Sequence, residues 1–326
     1  MPSKVEISYK SIVFTVFFLI GLWFLVQVQE IISWVFVAFI LMSALKPFAD
    51  RLEKLHLPRV LAVLINYIVI IILLAFIGSS VLPPLVSESI HLAESLPGYV
   101  RSIFPFYTID SNFISQHITP LGQNLLRVTV GLFSNIIALF TIFVISFYLL
   151  IERKYLEPQL ASFMGEEGAA DIVRIIAKVE QQLGAWVRGQ MLLGLIIGVA
   201  TFIGLILLNL PFALPLAILA AVLEIVPIIG PVISAIPAIL IALSISPLMA
   251  VATLALYFLI QQAEAHLVVP MVMRRTVGLP PLVTIPALMI GAKLAGITGI
   301  LLSVPVVVTI ATIITEYMKL KSPEKK

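Results

Sequence analysis

The stretch EIVPIIGPVISAIP, residues 224–237, lies inside a long apolar region and breaks the rules for such a place. It opens on a carboxylate, Glu224, and then carries Pro227, Pro231 and Pro237 around Gly230. An apolar helix needs neither the charge nor the interruptions. Proline removes a backbone donor, clashes with the preceding turn and disfavours helix at the residue before it. Pro227 and Pro231, flanking a glycine, therefore unwind the chain locally.

The surroundings decide what such a break means. The chain has 326 residues, of which 61% are hydrophobic and only 11% charged, and its mean hydropathy is +1.15. A soluble domain of this length needs more surface charge, so the composition predicts an all-α, polytopic integral membrane protein whose main partner is the lipid bilayer. There is no cysteine, which excludes disulfides and thiolate metal sites. The formal charge of +3 is too small to suggest a nucleic-acid partner. The first apolar run, 11–28, follows Lys4 and Lys10 but shows no small-residue cleavage site, and is read as a retained transmembrane helix.

Crossing a hydrocarbon core of ~30 Å takes ~20 helical residues. The runs 11–29, 60–82, 128–151 and 189–210 meet that length. The run 31–45 is shorter and is expected to form a helical hairpin with 11–29, turning at Gln27–Glu30. Lys46, Arg51, Lys54 and Arg59 fill one loop, and Arg153, Lys154, Arg174, Lys178 and Arg188 another, whereas 84–126 holds Arg101 alone. The positive-inside rule then puts 84–126 outside and both termini in the cytoplasm. Within 166–187 apolar residues recur at the helical period, which predicts an amphipathic cytoplasmic helix leading into the membrane. Pro97-Gly98, Pro105 and Pro120 divide 84–126 into a small external cap of short helices.

Threading that topology onward explains the opening stretch. The pieces 212–226 and 231–245 are too short to span, so 212–245 is expected to be a re-entrant hairpin with its tip at Pro227–Pro231, and 247–272 a full crossing. Non-helical backbone at membrane depth is tolerated only where protein buries it or it lines a wet cavity. A carboxylate there costs about 3 kcal/mol or more unless paired, protonated or hydrated. The breaks and Glu224 together predict a substrate or ion site on a broken helix. A proline-kinked helix with Glu224 snorkelling or tied to a neighbour is the plainer alternative.

Two more ionisable residues fall at comparable depth: Glu264 in QQAEAH and Lys293 in IGAKLAGITG. All three are expected around one cavity. The arms 279–292 and 297–315 predict a second hairpin, entering from the opposite face with its tip at Lys293–Gly299. Gly291, Gly296 and Gly299 suit either a moving hairpin or close helix packing. His266 stands two residues from Glu264, but no further His or Cys accompanies it, and no metal site is expected. Asn66 and Asn135 read as helix-to-helix glue. No phosphate loop, G-x-S-x-G or H-E-x-x-H motif occurs, so neither a cofactor nor an enzymatic activity is expected.

Four stretches, RGQMLLGLIIG (188–198), LEIVPIIGPVISAIPA (223–238), QQAEAHLVVPMVM (261–273) and VGLPPLV…GITGILLSVPVV (277–307), resemble the autoinducer-2 exporter family of bacterial membrane proteins. The resemblance implies about eight membrane segments including re-entrant ones, a homopentamer in the bacterial cytoplasmic membrane, and a secondary transporter. It also implies export of the furanone autoinducer-2, or exchange of sodium or lithium for protons. By the same resemblance Pro227, Gly230, Pro231, Glu264 and Pro270 carry the family signature. Family members often have asparagine near Glu224, and the acid here favours a cation or proton over a polar solute. The organisation expected is transmembrane helices in 1–83, the cap in 84–126, a transmembrane helix in 127–151, the amphipathic helix in 152–187, a transport core in 188–318 and a tail in 319–326. Alternatives from other classes are a passive channel, which should show a continuous polar stripe, and a membrane scaffold, which has no use for three intramembrane charges.

Overall fold

The computed structural model describes residues 9–76, 136–227, 229–273 and 280–321, with isolated positions between 77 and 135. The expected cap therefore lies almost wholly outside the described residues. Within them all regular structure is helical. The helices are α1 (Tyr9–Gln27), α2 (Gln29–Glu53), α3 (Arg59–Phe76), α4 (Ile136–Glu152), α5 (Leu156–Met164), α6 (Glu166–Leu207), α7 (Ala213–Leu223), α8 (Ile229–Ile245), α9 (Pro247–Ala263), α10 (Val269–Val272) and α11 (Pro281–Lys321). Among the described residues four spans are long and apolar enough to cross a bilayer: α2, α6, α9 continued through α10, and α11. Large apolar side chains such as Phe140, Leu195, Val251 and Ile310 face outward, as a lipid-facing surface requires and a soluble one avoids. The protein is a polytopic α-helical membrane protein.

The spine is α6. Its 42 residues make a rod of about 63 Å, twice what a bilayer needs. The amphipathic segment and the apolar run after it are thus one helix, unbroken at Arg188 and Gly189, where no proline stops it. Val179, Leu183 and Trp186 on its first half pack against Ile40 of α2 and Val304 and Val308 of α11. Leu205 near its other end joins a core with Leu216 of α7, Ala238 and Ile241 of α8, and Tyr257 of α9. A third core, with Met42, Val63 and Leu150, ties α2 to α3 and α4.

Two polar fastenings hold α6 to this third unit. Glu180, buried on α6, takes an ion pair of 2.5 Å from Lys46 on α2 and another from Arg153 just after α4. Arg188 donates to the carbonyl oxygens of Ser43 (3.4 Å) and Ala44 (3.1 Å) on α2. That approach requires Gly184, since a Cβ there would sit 2.8 Å from the Ser43 carbonyl carbon.

The amino-terminal hairpin is not formed. Helical hydrogen bonds run through the expected turn, Val28 N–H to Phe24 O and Ile32 N–H to Val28 O, both 3.0 Å. Only Val28 departs from helical geometry, at φ −99°, ψ 8°, and reversing a helix takes a loop of a few residues. Nor is α2 short: it runs through Pro47 to Glu53.

Both carboxy-half hairpins are present as chain reversals. α7 and α8 fold back on each other after Leu223, with Leu216 meeting Ala238 and Ile241. In α11 the helix is interrupted at Ala295 (φ −141°, ψ 22°) and Gly296 (φ 57°, ψ −133°), a left-handed corner that glycine takes without strain. Across that corner Ser303 Oγ donates to Ala287 O at 3.0 Å. Residues sixteen apart would be about 24 Å apart in a straight helix, so the arms lie side by side. Gly291 and Gly299 face each other where a Cβ would meet the opposite carbonyl carbon at 2.8 Å and 2.6 Å respectively.

Candidate functional site

The first hairpin turns where proline chemistry says it must, but over a narrower stretch than the sequence suggests. α7 ends at Leu223, Pro227 sits in the connecting turn, and α8 has already begun by Gly230 and Pro231. A proline in the first helical turn forfeits no hydrogen bond, because that N–H would lack a helical partner anyway. Gly230 is there for space. A Cβ on it would lie 2.5 Å from the carbonyl carbon of Leu223. Gln190 of α6 fastens the turn from the side, its Nε2 donating to the backbone carbonyl of Glu224.

On the opposite side α9 becomes a π-helical turn over Glu264–Val268 before α10. Pro270 supplies the cause. Its ring cannot accept the carbonyl four residues back in regular α geometry, and one residue of extra winding relieves the clash. The turn aims Glu264 inward, where it is 8% exposed, while His266 and Pro270 on the same stretch are exposed.

Glu224, 2% exposed, and Glu264 come together. Their carboxyl groups face each other at hydrogen-bonding range. Gln261 Nε2 donates to Glu264 Oε2 at 3.1 Å, and Glu224 Oε2 is buried with no partner of regular geometry. An ionised carboxylate only accepts hydrogen bonds, so two carboxyls can bond each other only when one of them carries a proton. Glu264 also lines a cavity of about 310 Å³ bounded by α6, α7, α8 and α9, with Pro231 on its wall.

Lys293 does not join them. It is exposed at the corner of the α11 hairpin and does not line this cavity. The corner at Gly296 leaves it exposed and away from the carboxyls. Gly291, Gly296 and Gly299 all belong to that second hairpin, the first and last at the seam between its arms and Gly296 at its corner. Among the described residues no group of three or more His, Cys, Asp or Glu is placed to hold a metal ion.

Sequence reasoning overlooked four residues of the site. Gln190 and Gln261 stand within quoted motifs and could have been found as polar residues beside them. Thr201 and Tyr257 gave no signal, because each sits alone in an apolar helix. Both line the cavity, and Thr201 Oγ1 and Tyr257 Oη are buried without hydrogen-bond partners.

Fold and site together define a polytopic helical membrane protein with two neighbouring buried carboxyls, one of them on the wall of a partly open cavity between helices. The chain belongs to the AI-2E transporter family: the model of that family, described as "AI-2E family transporter", matches residues 12–319. Among its relatives, "Putative transport protein YueF" of Bacillus subtilis is 29% identical over 308 residues, covering 87% of this chain and 83% of that one. "Putative transport protein YrrI" of the same organism is 24% identical over 332 residues, with 95% and 94% covered. "Putative permease PerM" of Escherichia coli is 27% identical over 276 residues, with 77% and 76% covered. Family and relatives support a role in membrane transport.

Proposed function

We propose that the protein is a secondary transporter, and not an enzyme, which couples solute or cation movement to protons through the Glu224–Glu264 pair. The observation that carries this reading is the meeting of two buried carboxyls from separate elements, one of which, Glu264, lies on a cavity wall. Glu224 comes from the turn of the α7–α8 hairpin, Glu264 from the π turn after α9. If the hairpin moves relative to α9, the pair separates and its shared proton must be released or replaced. That is the elementary step of proton-coupled alternating access.

The seam between hairpin and spine suits such movement. Gly194 and Gly198 of α6 face Ala217 and Ala221 of α7, and a Cβ on Gly194 would sit 2.7 Å from the Ala221 carbonyl oxygen. Small residues on both sides give a smooth contact in which few side chains interdigitate. On this reading both helical hairpins are re-entrant, both termini are cytoplasmic in the cell membrane, and the chain works as a homo-oligomer. The transported species is a small polar solute, or sodium or lithium exchanged for protons.

Flux into proteoliposomes tests it, comparing sodium, lithium and autoinducer-2 with and without an imposed pH gradient. Glu264→Gln and Glu224→Gln keep the side-chain shape and are cheaper to bury, so each should fold yet lose proton-dependent flux. Wild-type flux with wild-type pH dependence in Glu264→Gln would make this acid structural only.

A further inference from the structure

We infer that the cavity bounded by α6, α7, α8 and α9 binds an organic cation, an ammonium group carried on an apolar body, in preference to a bare alkali-metal ion. The inference rests on the transport reading above and gives its site a substrate class.

The first ground is charge. Glu264 presents its carboxyl to the cavity, with the buried Glu224 beside it, and among the described residues no lysine, arginine or histidine lines the cavity. The titratable groups facing Glu264 are Glu224 and, across the cavity, the Tyr257 hydroxyl. Whenever the pair loses its proton, the counter-charge must come from outside the chain. An anion or a sugar-like solute supplies none.

The second ground is the wall. Ile197, Val232, Ile236, Leu254 and Ile260 surround the polar end formed by Glu264 and Gln261. A dehydrated metal ion needs a ring of oxygens to replace its water shell, and ten of the fifteen residues lining the cavity carry none in their side chains. An apolar body bearing one ammonium group fits that wall, with its charge at the polar end.

The third ground is unmet hydrogen bonding. Thr201 is 0% and Tyr257 9% exposed, and neither hydroxyl has a partner. An unsatisfied buried polar group costs about 1–3 kcal/mol, so a ligand with N–H donors or a further polar group would relieve both. Size agrees. The cavity measures about 310 Å³, on the order of ten water volumes and at the small end of organic-ligand sites. A single alkali-metal ion would leave most of it empty.

Bound there, the ammonium takes the place of the proton shared by Glu224 and Glu264, so one cation enters as one proton leaves. The test uses purified protein in detergent and four probes: 2-phenylethylamine, its neutral counterpart 2-phenylethanol, sodium chloride and lithium chloride. Titration calorimetry in two buffers of different ionisation enthalpy, blanked against protein-free micelles, reads affinity and protons released. The expected result is binding of the amine at least tenfold tighter than the alcohol, with a proton released. Glu264→Gln should weaken the amine tenfold or more and abolish the release. Ala235→Phe, which fills the cavity and leaves both carboxyls in place, should block the amine as well, and an unchanged tryptophan melting curve shows each variant folded.

Equal binding of amine and alcohol, or an unchanged affinity in Ala235→Phe, overturns the inference. So does proton release by sodium or lithium but not by the amine, a result that leaves the proton-coupling reading of the pair intact. Amine binding with proton release, alongside liposome flux indifferent to pH, upholds the organic-cation site and sinks the coupling reading instead.

Discussion

Replacing Gly230 by alanine puts the hairpin geometry to its sharpest test. The added Cβ would stand 2.5 Å from the carbonyl carbon of Leu223, with Glu224 N at 3.3 Å. Ordinary carbon–carbon contact begins near ~3.5 Å, so the two sides of the turn must part by about 1 Å. The obstacle is backbone on both sides and has no flexible tip to give way. Overpacking costs about 1–3 kcal/mol where side chains yield, and the upper end applies here. For a chain of this size that corresponds to a fall in melting temperature of roughly 4–5 °C. A hydrogen bond of ordinary length lengthened by about 1 Å is no longer one, so Gln190 should lose the Glu224 carbonyl and the carboxyl pair should separate. The assay is tryptophan-fluorescence melting in detergent, paired with proteoliposome flux. Gly296→Ala differs in kind: it meets open space, but at φ 57°, ψ −133° its cost is backbone strain of about 1–3 kcal/mol. A Gly230→Ala protein that melts with wild type and transports at its rate would refute the close approach.

Other consequences are open to measurement. Glu180→Ala leaves Lys46 and Arg153 without their buried partner and should destabilise the protein by roughly 3 kcal/mol, read as a lower melting temperature with detergent-extracted yield reduced; an unchanged melt would show the ion pairs contribute nothing. Gly184→Ala should push α6 off Ser43 and strain the Arg188 bonds, and the double variant Gly184→Ala with Arg188→Ala should be less destabilised than the sum of the singles. Gly291→Val should spring the α11 hairpin apart, lowering the melting temperature more than Ala295→Val at the exposed corner. Cysteines introduced at Ser111 and Ser322, in a chain with no native cysteine, should label from opposite sides of the membrane; labelling of both from outside by an impermeant reagent rejects the orientation.

Local chemistry of the chain was enough for what depends on neighbours in sequence. Proline has no N–H and glycine has no Cβ, wherever the rest of the protein goes. Residues 224–231 therefore announced a reversal, and the helix from 281 announced a second one near Gly296. A carboxylate in an apolar run is costly in any fold that buries it, which is why Glu224 and Glu264 stood out before any partner was known. The same local reasoning failed where nothing local is decisive. The polar residues at 27–30 looked like a turn, yet no proline or glycine among them breaks the helix, and it carries on. Lys293 was expected beside the two acids and instead lies exposed near the corner of its hairpin.

Direction is what only the tertiary structure decides. Whether a side chain at a given depth faces a cavity, a neighbouring helix or lipid depends on how its helix is rotated, and that rotation follows from packing against elements far away in sequence. Gly194 and Gly198 set how α7 lies on α6, Gln190 holds the turn that carries Glu224, and the π turn forced by Pro270 rotates Glu264 to meet it. Thr201 and Tyr257 became part of a site only when four helices came to line one cavity beside them. Chain-local stiffness is written residue by residue, whereas rotation about a helix axis is a sum over contacts, and no single stretch of the sequence contains it.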